Sequence, residues 1–135
     1  MKPAVNKPLW EPSEAHVGDT NLTAFRGVLE KQWAVSLPDF DAVHRFSVDE
    51  MERFWTSLWT FTGIVGDRRT DRVIVDSNKM PGAQFFPDAK LNFAENLLRG
   101  HGPTPAIIFR GESRVRRVLS WDELRQQVSC LSQYL

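Results

Sequence analysis

The sequence predicts an α+β fold, mainly helical as far as about residue 100 and closing on a β-hairpin followed by one more helix. Three observations predict it. Apolar residues recur at three-to-four spacing from Leu22 and again from Met51, the mark of helices that bury one face. His101-Gly102-Pro103-Thr104-Pro105 has the composition of a linker, which places a boundary between two units, 1–100 and 101–135. Beyond it the pattern changes to two short apolar runs around a turn, then to a further helical stripe.

The first twenty residues mix prolines with polar residues, so an extended arm is expected, with Trp10 tucked against the body. Leu22, Phe25, Val28, Leu29 and Trp33 then define an amphipathic helix, with Thr20 or Asn21 available to cap it. Pro38 stops that helix, and Phe40 to Phe46 is expected to add one or two turns. Ser47-Val48-Asp49-Glu50 has the form of a capping box and predicts a helix start. Along that helix Met51, Phe54, Trp55, Leu58, Trp59 and Phe61 form an unusually wide apolar face, read as core packing, with Gly63 and Gly66 ending it. Asp67 to Arg72 reads as a loop of balanced charge, and Val73-Ile74-Val75 as a short strand. A proline-bounded turn presenting Phe85 and Phe86 leads into a helix over Leu91 to Arg99, with Gly100 at its end. Past the linker, Ala106 to Phe109 and Val115 to Leu119 form the hairpin around Gly111-Glu112-Ser113. Ser120-Trp121-Asp122-Glu123 is a second capping box, opening a helix with Leu124, Val128, Leu131 and Leu135 down one face. That stripe has no terminating Gly, Asn or Pro, so the polypeptide is expected to continue beyond residue 135.

Composition narrows the function. At 135 residues the chain is long enough for one domain with a real core, and five Trp with nine Phe exclude a disordered polymer. Seventeen basic and seventeen acidic side chains cancel, so no global field draws it to nucleic acid or an anionic membrane. The single cysteine, Cys130, has no partner for an internal disulfide, which fits a reducing cytoplasm; a packing role on its helix is expected rather than a reactive thiol. The amino terminus lacks the apolar run of a signal peptide, and the longest uncharged stretch, 54–66, falls short of the roughly 20 residues of a membrane span. Asn21-Leu22-Thr23 matches a glycosylation acceptor, but a helix start explains the Asn better.

No residue stands out as catalytic. His16, His44 and His101 lie beside no Cys or carboxylate at metal-ligand spacing. The eight glycines are scattered and make no phosphate-cradling loop. Arg110, Arg114, Arg116 and Arg117 gather around the hairpin, where a solvated edge outweighs contact with the phosphates of CoA or nucleic acid, since no aromatics are interleaved. Asn92 and Asn96 stand one helical turn apart and are expected to cap or tie backbone.

The stretch from Met80 to Leu98, Met-Pro-Gly-Ala-Gln-Phe-Phe-Pro-Asp-Ala-Lys-Leu-Asn-Phe-Ala-Glu-Asn-Leu-Leu, closely resembles the signature region of acetoacetyl-CoA synthetases. Leu9 to Ser13, Thr23 to Arg26, Val43 to Asp49 and Phe54-Trp55 follow the same family in the same order, and the hairpin with Ser120 to Val128 is similar to the opening of the adenylation domain. Phe46 replaces the usual Trp and Lys90 the usual Arg. Acetyl- and propionyl-CoA synthetases share a shorter part of the pattern. The resemblance implies that 1–100 is a helical cap and 101–135 the start of an α/β adenylation domain. It implies a parent ligase that uses ATP and magnesium to form an acyl-adenylate of acetoacetate and then loads CoA, releasing AMP and diphosphate. The family's adenylation motifs lie beyond residue 135, so no catalytic, cofactor-binding or metal residue is assigned here. The remainder of that adenylation domain is the expected partner. A free-standing helical interaction module is the alternative, and a homodimer through the exposed carboxy-terminal helix is a further expectation.

Overall fold

The structure, a computed structural model, describes residues 9–112 and 114–135. Most of the expected arm's first half and Ser113 of the hairpin turn lie outside the described residues. The fold is α+β, helical with two small antiparallel sheets. It divides into two compact units, Met1–Ile64 with Thr70–Asp88 and Val65–Arg69 with Ala89–Leu135, so the linker-like 101–105 lies inside the second.

The first unit opens on a short helix, α1 (Glu14–Gly18), where an extended arm is expected; the Ser13 hydroxyl accepts from His16 N and starts it. Trp10 is 74% exposed and not tucked in. Helix α2 (Asn21–Trp33) follows, with Thr20 as its cap, accepting from Thr23 N at 3.2 Å. Glu30 Oε1 accepts from Leu37 N at 2.8 Å, and Arg26 donates to the Pro38 carbonyl, so the chain after α2 is held back against it.

Helix α3 (Phe40–Asp49) corrects the expected start at Ser47. Asp39 accepts from Ala42 N at 2.7 Å and begins the helix earlier, and Ser47, inside it, donates to the His44 carbonyl one turn back. The break instead falls at Glu50, which starts α4 (Met51–Phe61) with no side-chain cap. Phe25, Leu29, Leu37, Ala42, Val43 and Phe46 form the core, with Leu29 wholly enclosed, and Phe54, Leu58 and Phe61 of α4 pack against it. Phe25 meets Phe54 edge-on and Phe61 at a tilt. Trp55 and Trp59 are half-buried. Gly63, with φ of 62°, closes α4: its N–H bonds Thr60 O while Ile64 N–H bonds Trp59 O, the paired bonds of a left-handed helix end. Strands β1 (Ile74–Val75) and β2 (Gln84–Phe85) pair antiparallel, and Phe86 N extends the ladder to Val73 O at 2.7 Å.

In the second unit the helix expected over Leu91 to Arg99 shrinks to α5 (Phe93–Leu97), capped by Asn92. Gly100 does not serve as the helix terminator expected of it. A Cβ there would fall 2.1 Å from Trp121 Cδ2, so the indole lies flush on this backbone. Strands β3 (Pro105–Arg110) and β4 (Arg116–Ser120) form the hairpin in the register Ile107 to Leu119, Ile108 to Val118, Phe109 to Arg117 and Arg110 to Arg116. Its two faces both expose apolar side chains, Ile107 and Phe109 on one and Ile108 and Val118 on the other. Helix α6 (Trp121–Tyr134) begins at the expected capping box: Glu123 N donates to the Ser120 hydroxyl while the Glu123 carboxylate accepts from Ser120 N and Oγ. Leu131 and Leu135 of its stripe are 59% and 93% exposed. Cys130 is exposed too, against the expectation that it packs.

Candidate functional site

The segment singled out by its motif, Met80 to Leu98, contributes to both units, and its geometry can be followed residue by residue. In the first unit Phe85 stacks edge-on against Trp55 with ring centroids 4.9 Å apart, and Phe86 lies tilted on Trp59 at 4.8 Å. Adjacent strand residues project to opposite faces, whereas Trp55 and Trp59 sit one turn apart on the same face of α4. A left-handed backbone at Phe86, φ of 46°, swings the second ring round to the helix. Such a conformation costs a bulky residue about 1 kcal/mol or more, which the ring contacts offset.

Just beyond, Arg72 forks onto Asp88: Nε donates to Oδ2 at 2.8 Å and Nη2 to Oδ1 at 2.6 Å, while Thr70 Oγ1 donates to Oδ2 at 2.6 Å. The bonds to Asp88, and its charge, push the Arg72 pKa up. Both carboxylate oxygens are thereby engaged, and Asp88 is not poised as a general base. Reading 67–72 as a loop of balanced charge overlooks this clamp, because its carboxylate lies sixteen residues downstream.

In the second unit Asn96 acts as a surrogate peptide. Its Oδ1 accepts from Val65 N at 2.8 Å and its Nδ2 donates to Val65 O at 2.7 Å, and Nδ2 also reaches Asn92 O. Arg99 donates to the same Oδ1. Asp67 and Lys90 add a backbone bridge with two 2.9 Å bonds. Asn92 caps and Asn96 ties backbone, as their spacing leads one to expect.

Chemistry is otherwise sparse. Among the described residues no group of three or more His, Cys, Asp or Glu is placed to hold a metal ion. His16, His44 and His101 are exposed and lie on α1, on α3 and in the loop before β3. A largely apolar groove of about 350 Å³, lined by Trp10, His16, Leu22, Arg26, Phe40 and Val43, opens in the first unit. No helix is long and apolar enough to cross a membrane among the described residues.

An aromatic clasp, a carboxylate clamp and an asparagine tie, all built on one motif, are scaffold features, and residues 40–97 carrying them match the family described as the acetyl-coenzyme A synthetase N-terminus. The chain is therefore an amino-terminal segment of the acyl-CoA synthetase class. Within that class it belongs with the acetoacetyl-CoA synthetases. It is 43% identical to the acetoacetyl-coenzyme A synthetase of Rhizobium meliloti (strain 1021) across 96% of this chain and 20% of that protein. Malonamoyl-CoA synthetase of Penicillium aethiopicum is 31% identical across 93% of this chain and 18% of its own length. The backbone superposes on the solved acetoacetyl-CoA synthetase from Streptomyces lividans with a TM-score of 0.82 and 32% identity, over 96% of this chain and 20% of that one. The chain thus spans about one-fifth of the length of the relatives it matches.

Proposed function

We propose that this chain is the non-catalytic amino-terminal portion of a cytoplasmic ligase that joins acetoacetate to CoA with ATP and magnesium, releasing AMP and diphosphate. The observation that carries the reading is the joint match of sequence and backbone to acetoacetyl-CoA synthetases over nearly the whole chain. In this reading 1–100 is a helical cap and 101–135 begins the adenylation domain. The hairpin supports it: strands apolar on both faces suit a sheet covered on both sides, and the α6 stripe suits the same surroundings. The rest of the adenylation domain would supply that cover, together with the residues that hold ATP, magnesium and CoA. The chain's own part is to present α6 and the hairpin from a packed base.

An antibody raised against the chain tests this in extracts of the source cell. The expected band is about five times the 15.5 kDa of the chain, by the one-fifth coverage of its relatives. That protein, purified, should release AMP only when acetoacetate and CoA are both present, with acetate, propionate and malonamate as poorer substrates. A band at the chain's own mass would overturn the reading and favour self-association through α6.

A further inference from the structure

The geometry points to an oligophosphate-binding site at the tip of the β3–β4 hairpin, formed by Arg110, Arg114 and Arg116. These three side chains line one concavity of about 580 Å³ with Gly111 and Glu112. Gly111 N donates to Val115 O at 2.9 Å, which makes 111 and 115 the hydrogen-bonded pair. The next pair in register, Arg110 and Arg116, is then of the non-hydrogen-bonded kind, in which facing side chains come closest. Like charges directly opposite one another on an antiparallel pair are destabilising. Among the described residues none of the three guanidinium groups has an ion-pair or hydrogen-bond partner, so none of them offsets the repulsion by a direct bond.

Arg117 is not part of the group. It is paired in register with Phe109, on the other face, and its charge acts on Glu123. Among the described residues lining the concavity the carboxylate is Glu112, which forms no ion pair with the three arginines and leaves a net excess of two positive charges there.

Three guanidinium forks offer more donors than the two oxygens of one carboxylate accept. A chain of phosphoryl groups presents several oxygens over the same span and matches planar forks in pairs. Nucleic acid fits less well, because no aromatic ring lines the concavity to stack a base and the chain has no net charge. Recognition through phosphoryl oxygens alone implies indifference to any nucleoside and no need of a metal ion. This site is separate from the adenylation chemistry of the proposed function and does not depend on it.

The test is a titration of the 135-residue chain with inorganic tripolyphosphate in low salt, followed by amide NMR, and with ATP and GTP in parallel without magnesium. Saturable shifts confined to residues 110–116, similar for the three ligands, are expected. Affinity should fall about tenfold between about 20 and about 200 mM salt, as screening of exposed charges demands. Arg110→Gln with Arg116→Gln should weaken binding at least about tenfold, Arg117→Gln should leave it unchanged, and Glu112→Gln should strengthen it a few-fold. The amide spectrum of each variant reports whether the hairpin is intact. No saturable shift at the tip, equal binding by the double variant, or preference for one nucleoside would each overturn the assignment.

Discussion

Ser57→Ala is the most informative single change in the helical unit. Ser57 is 1% exposed, and its hydroxyl accepts from Trp33 Nε1 at 2.9 Å while donating to Gln32 Oε1 at 3.1 Å. It is the point where α4 is tied to the end of α2 by polar contacts. The variant removes one oxygen and leaves the indole N–H of half-buried Trp33 without its acceptor. Gln32 is exposed, so its amide returns to water at little cost. An orphaned donor of this kind costs about 1 to 3 kcal/mol when buried, and the partial exposure of Trp33 places the loss at about 1 to 2 kcal/mol. For a chain of this size that is a fall in Tm of about 3 to 8 °C. Arg53 over the Trp33 ring, 5.0 Å from its centre, persists in the variant and does not enter the difference. Urea unfolding measures the loss, and the Trp33 indole N–H resonance reports the lost acceptor directly. A double-mutant cycle with Trp33→Phe should give a coupling of about 1 kcal/mol. A destabilisation below about 0.5 kcal/mol with no coupling would refute the argument.

Three other outcomes follow from the second unit. Gly100→Ala forces a methyl into the Trp121 ring, so the ring must move; a loss of about 1 to 3 kcal/mol and a changed Trp121 environment by fluorescence or NMR are expected, and an unaltered indole would contradict the close approach. The Glu123 carboxyl is held below its ordinary range, first by the Ser120 backbone N–H and then by the Ser120 hydroxyl. Its contribution is fully present above the usual Glu pKa and is lost as pH falls through the lowered value, so the first turn of α6 should loosen in acid and lose that dependence in Glu123→Gln; titration of Glu123 at or above the other exposed glutamates by NMR would count against it. The free chain should self-associate through the α6 stripe as concentration rises, measured by light scattering, and Leu124→Ser with Leu131→Ser should abolish it; a monomer at every concentration would eliminate that surface as a contact between copies.

What the sequence made legible was local. Helices α2 and α6 could be read because their caps, Thr20 and Ser120, lie beside the apolar periods they begin. The α3–α4 junction was misread for a related reason. Ser47 to Glu50 satisfies the spelling of a capping box, but Asp39 had already started the helix, and a serine inside a helix bonds back to its own turn. Glu50 breaks the helix without any cap signal to betray it. Contacts between distant residues were out of reach: Gly100 under Trp121, Asp88 in the Arg72 fork and Asn96 on Val65 are separated by 16 to 31 residues, and only tertiary structure brings them together. The exposure of Cys130 has a plain cause: Val128 and Leu131, its neighbours on the helix, are themselves in solvent.

The twisted backbone at Phe86 bears on how this segment can drift over evolutionary time. Losing Trp59 leaves the strained Phe86 with less to hold it, while relaxing the strain with glycine at 86 discards the ring that Trp59 meets. Each one-step departure therefore passes through a form worse than both its ancestor and its possible successor. Such a valley couples Trp59 and Phe86 so that they change together or hardly at all, and a homologue lacking either ring should be found to have rebuilt the turn around 86 as well.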